Sequence, residues 1–202
     1  MMLTPDEALI HLRYIAKEVS PVLFNLCNVV LDDPRFLRGY GAAVDGEHAH
    51  HAYKGGLVTH TLEVVKIARR MATDSTYPAD VFNNPAPHVS IFKSGGANTA
   101  ILTVAGIWHD YAKVCDYDCD GKKTEYRKFI RHVAGSYFEF EKHAVAVPVG
   151  DRMRIGHCIL AHHGRREFGS PVEPQTIEAQ MLHYADMLSM LYGEHRDIKD
   201  AA

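Results

Sequence analysis

Apolar residues recur at helical spacing along most of the chain. Leu9, Leu12, Ile15 and Val19 fall three or four apart after Thr4-Pro5-Asp6-Glu7. In that tetrapeptide Thr is placed to cap a helix, Pro to open it and Glu to complete a capping box. Ser20-Pro21 restarts a helix carrying Leu23, Phe24, Cys27, Val30 and Leu31, and Asp32-Asp33-Pro34 stops it. Leu57 to Met71 is strongly amphipathic, with Leu57, Thr61, Val64, Val65, Ala68 and Met71 on one face. Ala97 to Asp110 is apolar nearly all round, which predicts a central buried helix. Further helices are expected near 135–146, 151–163 and 175–192.

Breakers mark the segments between. Residues 40–56, rich in Gly, Ala and His, read as a loop. Residues 73–96 contain Pro78, Asn83, Asn84, Pro85, Pro87 and Gly95-Gly96 and read as a long surface loop. Gly121 to Phe129 reads as a short hairpin or loop. No set of alternating strands and no internal repeat is present, so the expected fold is all-α. A length of 202 residues favours one compact helical domain spanning 1–202.

Composition narrows the function classes. A hydrophobic content of 47% supports a real core, and a net charge of −3 argues against general affinity for polyanions, leaving only a local basic patch open. Cys27, Cys115, Cys119 and Cys158 form no C-x-x-C pair and read as free thiols of a reducing, cytoplasmic setting. The first residues lack a basic segment followed by an apolar run, and no apolar stretch is long enough to span a bilayer, so neither a signal peptide nor a membrane partner is expected.

Histidine changes the picture. There are 14, most of them gathered at 48–60, 109, 132, 157–163 and 183. His109-Asp110 closes the buried helix, and a carboxylate there is costly unless paired, for instance with a metal ion. His60 lies one turn into the helix that opens with Gly55-Gly56. His162-His163 ends a helix at Gly164, a natural C-cap. His183 and Asp186 share a face of the last helix among Met181, Leu182, Ala185, Met187 and Leu188. Each has a structural alternative: a packed histidine, a solvated helix end, or a buried Asp paired with a local His or Arg. Taken together, imidazoles and carboxylates on buried helices suit Mn, Fe, Co, Ni or Zn.

This order of residues resembles the HD phosphohydrolase superfamily, most closely the HD domains of three-prime exoribonucleases and of conjugative relaxases. The resemblance rests on His50-His51-Ala52-Tyr53-Lys54-Gly55-Gly56-Leu57-Val58-Thr59-His60-Thr61-Leu62-Glu63-Val64 and on His109-Asp110-Tyr111-Ala112-Lys113. It continues through His162-His163-Gly164, Glu167-Phe168-Gly169-Ser170-Pro171, Glu178-Ala179 and His183-Tyr184-Ala185-Asp186. It implies a compact HD helical bundle in which His60, His109, Asp110 and Asp186 hold one divalent ion. Asp110 would then bridge to a second ion held by His132, His162 and His163. Where that branch has Gly-His-Ile, this chain has Arg131-His132-Val133. Lys113 stands where HD enzymes place a phosphate-contacting or acid-base lysine.

The expected reaction is metal-assisted hydrolysis of a phosphate ester or anhydride, with Asp110 and Lys113 as catalytic residues. Lys54, Arg165 and Arg166 flank ligand-bearing segments and are the expected substrate contacts. They favour a small nucleotide such as a nucleoside or deoxynucleoside triphosphate. The exoribonucleases carry an OB domain ahead of the HD domain, for which 202 residues leave no room. The alternatives are a 3'-5' exonuclease on RNA or single-stranded DNA and a non-catalytic, metal-stabilised regulatory module. The apolar last helix leaves room for association into a homo-oligomer.

Overall fold

The computed structural model describes residues 3–45, 50–73 and 96–200, with side chains through residue 191. It is all-α among those residues, apart from one isolated antiparallel bridge between Tyr117 and Lys123. In chain order the helices are α1 (Pro5–Ala16), α2 (Pro21–Leu31), α3 (Pro34–Arg38), α4 (Gly56–Thr73) and α5 (Thr99–Trp108). They continue with α6 (Lys113–Asp116), α7 (Glu125–Phe129), α8 (His132–His143), α9 (Val149–Ala161) and α10 (Ile177–Asp200).

Local chemistry sets these bounds. Thr4 caps α1 through a complete capping box with Glu7, and Pro5 opens the helix. Asp33 does more than end α2: its side chain accepts the Arg35 N–H and starts α3. Asn98 caps α5 by accepting from the N–H groups of Ala100 and Ile101. The segment expected as a hairpin or loop at 121–129 instead holds a tight turn and then α7, capped by Thr124. The long loop expected at 73–96 lies, from 74 to 95, outside the described residues.

The core is built on α4 and α5. α4 packs chiefly against α10, α5 and α1, and α5 also lies on α9. All six residues of the expected α4 face are buried. α5 buries every residue from Ile101 to Trp108. Trp108 fixes its C-terminal end: the indole N–H donates to Leu26 O at 3.2 Å, and the ring meets Tyr111 and Phe140 edge-on. His109 and Asp110 therefore emerge from a rigid helix end into the centre of the molecule. Among the described residues no helix is long and apolar enough to cross a membrane.

Candidate metal centre

Five segments deliver histidines and carboxylates to one place. The loop before α4 passes so close to the helix that a Cβ on Gly56 would collide with the His51 carbonyl, and Gly55 takes a left-handed φ of 87°. This close turn starts α4 so that His60, fully buried, faces inward. Gly164 ends α9 with φ 78° and leaves no room for a side chain against the His183 ring. His162 and His163 stand just before that glycine, with their rings against those of His109 and His132. His132 is the first residue of α8, so the turn preceding that helix aims its ring.

His60, His109, Asp110 and Asp186 come together with their ligand atoms within 4.8 Å of one another, and His132, His162 and His163 form a second such group. His60 Nε2 lies 3.0 Å from Asp186 Oδ1 and 3.3 Å from Asp110 Oδ2, and His109 Nε2 lies 3.4 Å from Asp110 Oδ2. Asp110 Oδ1 faces the other way, 3.3 Å from His132 Nε2 and 3.6 Å from His162 Nε2. One carboxylate thus presents one oxygen to each group. A third group, His50, His51 and His60, also lies within ligand reach.

The far nitrogens explain why the near ones converge. His109 Nδ1 pairs with Gly106 O at 2.7 Å, His162 Nδ1 with Ile159 O at 2.7 Å and His163 Nδ1 with Phe168 O at 2.8 Å. Carbonyl oxygens only accept, so each Nδ1 carries the proton and each Nε2 keeps a bare lone pair. His132 Nδ1 reaches the Asp116 carboxylate at 3.1 Å, with the same consequence. His60 Nδ1 meets Ser189 Oγ at 3.0 Å, and that hydroxyl donates to Glu63. Outer partners of this kind orient metal-binding imidazoles.

Such an arrangement favours a bound cation. His60 and His109 Nε2 stand 3.3 Å apart, and His132 and His163 Nε2 3.2 Å apart. In the second pair both nitrogens carry bare lone pairs, which repel, whereas in the first His60 takes up a proton where no ion is bound. Both oxygens of the buried Asp110, and His162 Nε2, have no hydrogen-bond partner of good geometry. Lys113 Nζ is 2.6 Å from Asp110 Oδ2 as an ion pair, but its well-directed hydrogen bond goes to Gly41 O. Unpaired buried groups of this type are costly. The donor set therefore fits divalent ions, with imidazole and carboxylate ligands and no sulfur.

Electrostatics agree. Burial pushes His109 and His132 below the ordinary histidine value, and burial beside other imidazoles takes His163 down to about 3. These rings are neutral and ready to ligate. Burial alone would lower His60 as well, but its bonds to Asp110 and Asp186 outweigh it and push it up to about 9. A proton and a divalent ion compete for that one Nε2. Burial would raise Asp110 and Asp186. Lys113 and the surrounding imidazoles hold Asp110 well below the carboxylate range, and His60 does so for Asp186.

A cavity of about 440 Å³ opens over the two groups. One wall carries Lys113, Tyr117, Arg127 and His132, and Phe168, Met187 and Met190 also face the cavity. Lys54, Arg165 and Arg166, the expected substrate contacts, are exposed and do not line it. Arg127, Asp116 and Ser189 were not anticipated. Ser189 had a visible signal, three residues after Asp186 on the same helical face. Asp116 and Arg127 had none, because a loop separates them in sequence.

Comparison with known proteins bears on this centre. The chain is 27% identical over 143 residues to the 3'-5' exoribonuclease YhaM of Geobacillus sp. (strain WCH70), covering 69% of this chain and 38% of that protein. It is 30% identical over 142 residues to the dihydroneopterin 2',3'-cyclic phosphate phosphodiesterase of Methanocaldococcus jannaschii, covering 68% and 47%. With YhaM of Listeria welshimeri the figures are 27% over 198 residues, 91% and 56%. The chain thus spans about four-tenths to just over half the length of these relatives. No solved structure matches. The HD domain family model matches residues 57–191, which contain every histidine and carboxylate of the two groups joined by Asp110, and the chain belongs to the HD domain family.

Proposed function

We propose that the chain hydrolyses phosphate ester bonds of small nucleotides, using divalent ions held by His60, His109, Asp110 and Asp186 and by His132, His162 and His163. The observation that carries this reading is the division of Asp110, one oxygen toward each group of imidazole nitrogens. Bound ions would supply Lewis-acid activation of a water and neutralise charge on the phosphoryl oxygens. The protein's own groups do the rest. The outer partners of the imidazoles keep every Nε2 aimed inward. Lys113 stays protonated beside Asp110 and lines the cavity, where it can balance charge on the phosphoryl group or protonate a leaving oxygen.

The cavity bears on the substrate. Its size falls within the range of small-molecule sites. Among the described residues its cationic lining consists of Lys113 and Arg127. The three exposed cations on which a triphosphate was expected lie outside it, which favours a substrate with a single phosphate over a nucleoside triphosphate. Phe168, Met187 and Met190 offer an apolar surface for a base. A second reading, removal of the terminal nucleotide from a single strand, is favoured by the similarity to exoribonucleases and by Phe168. That residue is 64% exposed at the cavity, its carbonyl paired with His163 Nδ1, and its ring can stack an unpaired base.

The test is a substrate panel on the metal-loaded protein: a 2',3'-cyclic nucleotide, a nucleoside triphosphate, a monophosphate and a short oligonucleotide. Preference for the cyclic diester supports the first reading. Processive shortening of the oligonucleotide, with little turnover of the cyclic diester, moves the assignment to the exonuclease. No hydrolysis of any member, with metal bound, removes both.

A further inference from the structure

We propose that Arg127 is the substrate-phosphate hook of this site, binding a non-bridging phosphoryl oxygen of the nucleotide held over the metal centre. The inference rests on the phosphohydrolase reading above and names the residue that recognises the anion. Arg127 lines the cavity on the side of Lys113 and His132, with its side chain 32% exposed. It is held in place on one edge only. Nη1 donates to Asp116 Oδ2 at 3.0 Å and to the Tyr117 hydroxyl at 2.9 Å, while the guanidinium lies 5.2 Å over the Tyr117 ring.

A guanidinium carries five N–H donors in a planar fork. Two of its contacts use Nη1, and among the described residues no hydrogen bond from Nε or Nη2 is present. The remaining edge is therefore preorganised for an oxyanion, the geometry for which arginine is suited. Lys113 differs: it is buried and already engaged with Asp110 and Gly41 O.

Position adds a second argument. Asp116 is fully buried, and its Oδ2 accepts both from Arg127 and from His132 Nδ1. Arg127 is thus two hydrogen bonds from a histidine of the metal centre, on a tether that also orients that histidine. A rival account makes Arg127 only the charge partner of Asp116, acting on metal binding through His132. The two accounts differ in what each variant changes.

The experiment compares Arg127→Ala and Arg127→Lys with Lys128→Ala, an exposed control on the same short helix. Three quantities are read on folded protein: metal content, kcat and KM on the best panel substrate, and the dissociation constant of inorganic phosphate by calorimetry. For Arg127→Ala the expected result is unchanged metal content, with KM and the phosphate dissociation constant both raised about ten- to a hundredfold. Arg127→Lys should recover part of the loss, and Lys128→Ala should match the unmodified protein. Loss of metal in Arg127→Ala with unchanged phosphate affinity per metal-loaded molecule would overturn the proposal in favour of the rival. Unchanged phosphate affinity and KM in Arg127→Ala would also overturn it, as would absence of phosphate binding to the unmodified, metal-loaded protein. The phosphate arm needs no turnover. A protein that binds phosphate through Arg127 yet hydrolyses no panel member would retain the hook and remove the function.

Discussion

At the scale of single residues, the centre depends on Asp110 more than on any other side chain. It sits between two groups of lone-pair donors with an oxygen toward each, and it is buried without a well-formed hydrogen bond. Asp110→Ala is expected to empty both groups of metal and to lower turnover on the order of a thousandfold, while circular dichroism still reports a helical fold. Near-normal activity in that variant would end the two-ion reading. Asp116 is the subtler case. Changing it to Asn keeps the shape but removes the charge that orients His132 and Arg127. Affinity for the ion at His132, His162 and His163 should fall about ten- to a hundredfold, with the ion at His60 and His109 retained. Metal titration followed by elemental analysis reads this directly. Of the seven residues gathered into the two groups, six sit on helices or helix ends whose pattern is strong in the sequence; His132 lies ahead of the helix expected at 135–146 and was legible only through the family resemblance. Asp116 and Arg127 were not legible, since an 11-residue separation across a turn has no period to betray it.

Elements explain why that turn is where it is. The short α7 was expected as a hairpin or loop because five residues carry too little periodicity to read, although Thr124 does cap it. Between α7 and α8 stands Arg131, with φ 62° and ψ 155°, a region that suits glycine. The family resemblance implies Gly at this point. Arg131→Gly should relieve strain of about 1–3 kcal/mol, partly offset by the entropy of glycine in the unfolded chain. A net gain near 1 kcal/mol corresponds to a rise in Tm of about 2–4 °C for a domain of this size. A fall in Tm would mean that the Arg131 side chain contributes more than its backbone costs. Asp33 shows the same economy in another turn. It caps α3, pairs with Arg35 and accepts the Tyr111 hydroxyl at 2.7 Å, tying α3 to the segment that follows Asp110. Asp33→Ala should cost about 1–3 kcal/mol. Burial opposes ionisation of Asp33, but the hydrogen bonds from Arg35 and Tyr111 leave its pKa lowered. Its contribution is therefore complete above the ordinary carboxylate value of about 3.9 and is lost as pH falls through the lower folded value. Denaturant titrations should show the gap between the two proteins closing at acid pH.

For the whole molecule, the proposed ligands tie together segments far apart in the chain. His60 comes from α4, His109 and Asp110 from the end of α5, His132 from α8, His162 and His163 from the end of α9 and Asp186 from α10. Helix packing already brings these segments together, so the fold should survive metal removal. What it loses is the neutralisation of converging lone pairs and buried carboxylates. Ions that bind only the folded state add RT ln(1 + [L]/Kd), about 4 kcal/mol at a thousandfold excess over Kd. At about 2–4 °C per kcal/mol, a chelator that strips two ions, each contributing that much, should lower Tm by roughly 16–32 °C. The refilled protein should recover the original Tm and hold two metal equivalents. His162→Ala or His163→Ala should hold one and show a smaller chelator effect. Asp110→Ala should show almost none, because chelation then has nothing to remove. A single equivalent in the unmodified, metal-replete protein would leave His132, His162 and His163 without their assigned ion. A Tm indifferent to chelation in the unmodified protein would mean that the converging side chains are held apart by packing alone.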